Sequence, residues 1–295
     1  MSPLAISPLA IDLGIGALLA AAAAFSAYRL AHLTVGGAVG ATVIGAIVFG
    51  LGGWEWALLL LLFFASSSAI TRWRADDKAD AGRAFAKGGR RDLGQVLANG
   101  GLPALVAIAH WRFPDAFPNA NAFAAYAGAL AVATGDTWAT EVGLLSEAPP
   151  RLVTTGRIVR PGTSGAVTVL GTVAAVVGAA TIGLAAAVLF SLRDVVTFGG
   201  LGLFDAGGLP LLPITALAGL AGATIDSLLG ATVQGVYRPR HELDAGQGAE
   251  TERSVGPDGV PLERVRGWRF MTNDTVNALA LAAGGVLAWV MYGWM

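Results

Sequence analysis

Apolar runs long enough to cross a bilayer recur along nearly the whole chain, and this constrains the fold more than any other feature. A spanning helix needs about 20 such residues at 1.5 Å rise per residue. Breaks at charges, Pro and Gly divide the chain into spans near 10–31, 33–53, 54–70, 92–110, 122–145, 163–190, 211–235 and 270–293. Only 13% of the 295 residues are charged and 55% are hydrophobic, whereas a soluble domain carries about 25% charged residues. So few charges cannot make a water-facing surface. The expected architecture is all-α: one polytopic integral membrane domain, residues 1–295, with about eight transmembrane helices in contact with the lipid bilayer.

The basic residues fix the expected orientation, because cytoplasmic loops carry the Lys and Arg excess. Eight spans place seventeen of the nineteen on one side: Arg29, seven from Arg72 to Arg91, then Arg151, Arg157 and Arg160, then six from Arg238 to Arg269. Only Arg112 and Arg193 fall on the other side. Both termini are therefore expected to be non-cytoplasmic, in a multi-pass protein of the cell membrane. The amino terminus has no Lys or Arg before its first apolar run, so 10–31 reads as a retained span and not as a signal peptide. The hydrophilic stretches 71–91 and 236–268 are expected to be cytoplasmic loops, and the Pro and Gly content of the second favours loop or partial disorder.

Some chemistry is closed at once. With no Cys there are no disulfides, thiolate metal sites or thiol nucleophiles. The basic residues sit in loops that topology already requires to be basic, so no nucleic-acid partner is implied. His32, His110 and His241 all lie outside the polar motifs. Trp54, Trp56, Trp73, Trp111 and Trp268 fall at span ends and read as interfacial anchors.

The positive signal is acid inside the spans. A charged side chain near a helix centre costs on the order of 2.5–3.5 kcal/mol on insertion scales, so it normally faces a cavity or a partner. Asp136 and Glu141 lie in the fifth span, Asp226 in the seventh, and Asp274 at the start of the eighth, with Asp92 opening the fourth. The amides Gln95, Asn99, Gln234, Asn273 and Asn277 occupy the same spans. All of these residues fall toward the cytoplasmic side, with Asp136 and Asp226 deepest at roughly 14 Å from the expected helix ends. Thr137 and Glu141 share a helix face, as do Gln95 with Asn99 and Asn273 with Asn277. A short echo links Thr-Gly-Asp-Thr at 134–137 with Thr-Ile-Asp-Ser at 224–227.

Carboxylates and amide oxygens without Cys or His form a hard-oxygen set suited to Mg²⁺ held partly through substrate phosphates. Arg90, Arg91, Arg151, Arg157 and Arg160, with the turn Gly162-Thr163-Ser164-Gly165 before the sixth span, offer phosphate donors. Bland readings stand beside these. Asp92 can serve as a helix N-terminal dipole partner, Asn99, Gln234 and Asn277 as interhelical glue, and the Pro-Gly turn as a plain turn. Together the acids and cations point to phosphoryl or nucleotidyl transfer to a lipid-soluble acceptor.

Five ordered motifs carry a resemblance: RDLGQVLANGG at 91–101, GDTWATEVG at 135–143, PRLVTTGRIVRPGTSGAVT at 150–168, DSLLGATVQ at 226–234 and TNDTVN at 272–277. In these the chain resembles the DUF92 integral membrane family, which includes the phytyl-phosphate kinase of tocopherol synthesis. The resemblance implies a kinase that uses CTP or another nucleoside triphosphate to convert an isoprenyl monophosphate into its diphosphate. It further implies Asp136, Glu141, Asp226 and Asp274 as metal ligands and Arg157, with Asp136 and Asp226, as the catalytic set. Arg91, Asn99, Thr137, Arg160, Gly162, Thr163, Ser164, Gly165, Asn273 and Asn277 become candidate substrate or nucleotide contacts. A lipid-phosphate cytidylyltransferase and a secondary transporter with intramembrane acids remain alternatives, and the sequence leaves the oligomeric state open.

Overall fold

Helix starts are set by short polar side chains that satisfy the first free backbone N–H groups. Ser7 caps α1 (Pro8–Arg29), its hydroxyl 3.2 Å from the amide of Ala10, with Pro at the first helical position. Thr34 caps α2 (Val35–Ile47), 3.1 Å from the amide of Gly37. A π turn, Val48–Gly52, carries α2 onward to Gly53, whose φ of +102° only Gly adopts without strain, and α3 (Trp54–Arg72) follows. Asp92 and Gln95 form a reciprocal capping box at the start of α4 (Leu93–Arg112). The remaining helices are α5 (Asn119–Gly143), α6 (Val169–Phe198), α7 (Leu211–Thr232) and α8 (Asn273–Gly293), the last capped by Thr272. The computed structural model describes residues 7–75, 89–198, 207–239, 250–252, 254–256 and 259–295.

Seven of these segments are long and apolar enough to cross a membrane, counting α2 with its π turn as one; α5 is the exception. Its residues from Ala122 to Gly135 are all buried, and α3, α4, α6, α7 and α8 pack around it. A helix enclosed by other helices needs small side chains more than greasy ones, and an Ala- and Gly-rich stretch supplies them. At Gly128 an added Cβ would overlap Ala288 of α8, and at Gly222 of α7 it would overlap Val132 of α5.

Two antiparallel strand pairs join the helices. β1 (Arg151–Leu152) pairs with β2 (Ala166–Val167), and β3 (Val236–Arg238) pairs with β4 (Glu263–Arg266). Within the described part of 236–268, where the composition favours loop, Val236–Arg238 and Glu263–Arg266 pair as strands and the remainder is bridge, bend and irregular chain. Residues 76–88, 240–249, 253, 257 and 258, which include His241 and Lys78, lie outside the described residues. The bundle has a basic end, where α3, α5 and α7 finish and α4, α6 and α8 begin, and a far end that holds Arg112 and Arg193.

The far end is packed with aromatic groups. Trp56 is wholly buried, stacked on His110, edge-on to Phe123 and tilted against Tyr126, so it is a core residue and not an interfacial anchor. Trp73, Trp111 and Trp268 are about half exposed, as interfacial residues should be.

Candidate functional site

The basic end encloses a cavity of about 740 Å³. Asp136 on α5 and Asp226 on α7 line it, close enough for each charge to act on the other, and Glu252 acts on Asp226 as well. The Oδ2 atom of Asp226 and the Oδ1 atom of Asn277 are buried and accept no hydrogen bond from the described residues. Because α5 and α7 end at Gly143 and Thr232, before the limits expected from the sequence, the two acids lie roughly 10 Å inside and not 14 Å. Glu141, Thr137, Gln95, Asn99, Asn273 and Asn277 also line the cavity, whereas Asp274 does not. Two hydroxyl or amide groups are committed locally: Thr137 donates to the carbonyl of Ala133, and Asn99 Nδ2 to that of Gln95. Pro103 inside α4 removes the helical N–H that the Asn99 carbonyl would otherwise accept.

Arg91 is the cavity's half-buried cation. Its amide donates to the carbonyl of His32 at 2.8 Å and its carbonyl accepts from Thr34 at 3.0 Å, which ties the start of α4 to the α1–α2 connection. The guanidinium lies over the rings of Phe63 and Phe64, 5.5 and 5.2 Å from their centroids, and its Nη1 atom is buried with no hydrogen-bond partner among the described residues. Burial lowers its pKa to about 10, against the opposing effect of Glu141, so it remains charged at neutral pH. His32 lines the same cavity although no polar motif contains it. Burial and the cations Arg72 and Arg91 lower the His32 pKa, which favours a neutral ring at pH 7. The pairing of residues 33 and 91 and the edge of Phe64 bring this histidine in, and no local pattern foretells such long-range contacts.

The turn at 160–165 differs from expectation. It does not open directly into a helix, because β2 intervenes and α6 starts at Val169, where Thr168 caps the Gly171 amide at 3.0 Å. Gly162, Thr163, Ser164 and Gly165 line the cavity, yet two of their groups are already engaged. The Ser164 hydroxyl contacts the carbonyl of Gly230 at 3.1 Å and Oε1 of Gln234 at 2.9 Å, and Thr163 Oγ1 donates to the carbonyl of Arg160. Gly165 sits at φ +79° against Ala231, where any side chain would collide with the α7 backbone. Arg157 and Arg160 are exposed on this loop and outside the lining. Asp92 is the helix cap described above, which leaves it the bland reading.

A polar chain that sequence reasoning missed holds the cavity's outer wall. Gln234, fully buried, donates from Nε2 to Glu252 at 2.7 Å, and Arg266 donates to the carbonyl of Gly230 at 2.9 Å. Arg238 pairs with Glu250 at 2.9 Å. The ordered hairpin thus fastens the end of α7 and the 160–165 turn to each other.

Among the described residues no three His, Cys, Asp or Glu side chains form a metal cluster. Mg²⁺ normally uses only one or two carboxylates and completes its shell with water and phosphate. Asp136 and Asp226, with the unsatisfied oxygens of Asp226 and Asn277, fit that kind of site. They do not fit an all-protein cage.

Fold and cavity define a class: a multi-pass helical membrane protein with a chamber at one end of its bundle that acids, amides and an arginine line. The chain belongs to the DUF92 integral membrane protein family, whose profile matches residues 18–285. It is 34% identical over 278 residues to Protein PGR of Arabidopsis thaliana, covering 88% of each chain. It is 34% identical to an uncharacterized membrane protein of Methanocaldococcus jannaschii, over 70% of this chain and 77% of that one. An uncharacterized membrane protein of Synechocystis is 33% identical over 84% and 78% of the two chains. None of these names specifies a reaction, and no solved structure matches.

Proposed function

We propose that the protein is a Mg²⁺-dependent kinase that transfers the γ-phosphoryl group of CTP, or another nucleoside triphosphate, to an isoprenyl monophosphate. The observation that carries this reading is the chamber itself, which sets the Asp136/Asp226 pair and Arg91, with its buried Nη1 atom, around one space large enough for phosphates. The concentration of Lys and Arg at that end supports a cytoplasmic orientation, where nucleotides are available. At the far end the Trp56 cluster and the Glu55–Arg193 pair fill the bundle, which favours a site open to one side over an alternating transporter.

Mg²⁺, when bound, would neutralise charge on the transferred phosphoryl group. Asp136 and Asp226 would hold it, with Asn277 contributing an amide oxygen. Arg91, fixed between two rings, would bind and orient a phosphate through its free Nη1 edge. A phosphate monoester has a second pKa of about 6, so the acceptor oxygen is already ionised at pH 7. That oxygen attacks the γ-phosphorus, the bond from γ-phosphorus to the bridging oxygen breaks, and the nucleoside diphosphate leaves with the bond electrons. No proton has to be removed.

The test supplies purified protein with γ-labelled CTP, Mg²⁺ and phytyl or geranylgeranyl phosphate. Label in the isoprenyl diphosphate with CDP as co-product is expected. Label in pyrophosphate with cytidine on the lipid would replace the kinase by a cytidylyltransferase. Intact nucleotide with every isoprenyl phosphate of ten to twenty carbons would overturn both.

A further inference from the structure

The chamber is also lined by two exposed residues on adjacent helices. Thr172 on α6 and Thr224 on α7 both line the cavity and are both exposed. On the same helices, Val169, Val173 and Val176 flank the first, and Leu217 and Leu228 the second, all exposed and apolar. Elsewhere α6 and α7 are closed against each other. Gly183 meets Thr215 and Gly219 meets Ala179 toward the far end, while Gly165, before α6, meets Ala231 at the basic end. Between these clamps the seam is backed by small residues, Gly171, Ala175 and Ala223, that border the chamber. Each threonine hydroxyl donates to its own helix, Thr172 to Thr168 at 3.0 Å and Thr224 to Leu220 at 2.8 Å, so neither donor is held for water. Thr224 lies eight residues from the end of α7, roughly 12 Å in, and Thr172 three residues from the start of α6, roughly 4.5 Å in, so the seam runs inward from the basic end toward acyl-chain depth.

We propose that this seam between α6 and α7 is a lateral portal that binds the hydrocarbon chain of a single-chain lipid phosphate. The phosphate sits in the chamber while the chain passes between Thr172 and Thr224 into the bilayer. The occupant follows from continuity: a chamber that holds the Arg91 cation beside acids and amides meets an apolar-flanked seam, which matches a molecule with one charged end and one apolar end. The portal rests on the lipid-phosphate reading of the chamber but not on phosphoryl transfer.

The chain has no Cys, so single cysteines at Thr172 and Thr224 can be followed by N-ethylmaleimide labelling in liposomes. Geranylgeranyl phosphate should slow labelling at both positions, leave a control cysteine at Asp115, exposed in the far-end loop between α4 and α5, unchanged, and not be mimicked by inorganic phosphate. Thr224→Trp should slow turnover of geranylgeranyl phosphate by roughly tenfold or more. It should spare five-carbon isopentenyl phosphate, whose chain is too short to need the seam. Unchanged labelling at both sites while geranylgeranyl phosphate is still phosphorylated would overturn the portal and leave the kinase standing. Protection without any phosphoryl transfer would uphold the portal and defeat the kinase. Equal loss for both acceptors in Thr224→Trp would overturn the portal.

Discussion

The same helices end in two differently built halves. At the far end, Tyr126 donates to the carbonyl of Trp56 at 2.6 Å, His110 Nδ1 donates to Phe117 at 2.8 Å, and Arg193 pairs with Glu55 at 3.1 Å. The unsatisfied groups there, Trp56 Nε1 and Asn119 Oδ1, are neutral. At the basic end the unsatisfied buried atoms include a carboxylate oxygen of Asp226 and a guanidinium nitrogen of Arg91. Burying an unpaired charge costs far more than burying a neutral donor. A fold that satisfies its charges at one end and leaves such atoms around a chamber at the other separates packing from binding.

Substitutions at the two ends should therefore fail in different measurements. Asp226→Asn keeps the side-chain volume and removes a charged ligand; turnover should fall by about a thousandfold while the melting temperature in detergent holds. Retained turnover would remove Asp226 from the metal set. Arg193→Met should do the reverse. It strands the nearly inaccessible Glu55 carboxylate, and loss of one partner of a buried pair costs about 3–5 kcal/mol, toward the lower end here because Arg193 is partly exposed. A variant that melts normally but loses turnover would erase the distinction between the ends.

Arg91→Lys is the next smaller effect. Lysine keeps the charge but not the planar fork, so one charge-assisted hydrogen bond of about 1.5–3 kcal/mol is at stake, or roughly ten- to a hundredfold in KM for the phosphate. A change confined to thermal stability would make Arg91 a packing group held by Phe63 and Phe64.

How legible this was in the sequence depends on how local each signal is. Helix segments were legible because apolar runs and Lys/Arg placement are local. The family was legible from its motifs, and Asp136 and Asp226 stood out as charges inside spans. The start of α6 was not legible, because whether 163–168 is helix or strand is decided by β1, about fifteen residues earlier. Trp56 differs from Trp54 only by two positions, enough to rotate it from the helix boundary onto α5. The partial burial of His32 beside Arg91 depends on chain pairing across the bundle. Glu252 and Arg266 sat in a stretch whose Pro and Gly content reads as loop.

Arg157 tests the smallest predicted effect. Its residue type and its position in the 150–168 motif make it look like a phosphate ligand, equal to Arg91. The structure separates the two: Arg91 is half-buried on the chamber wall, while Arg157 is exposed, with its amide 3.4 Å from Thr155 Oγ1 and its carbonyl accepting from Leu152 at 2.9 Å. Its backbone therefore shapes the β1–β2 loop whatever the side chain does. An exposed charge acts through screened water, where the Debye length is about 8 Å at physiological ionic strength. Arg157→Lys should accordingly change kcat/KM by less than about threefold, and Arg157→Gln should lower it modestly, more at low salt than at high. A loss in Arg157→Lys as large as that in Arg91→Lys, and independent of salt, would mean that the loop folds inward when nucleotide binds, with Arg157 completing the chamber.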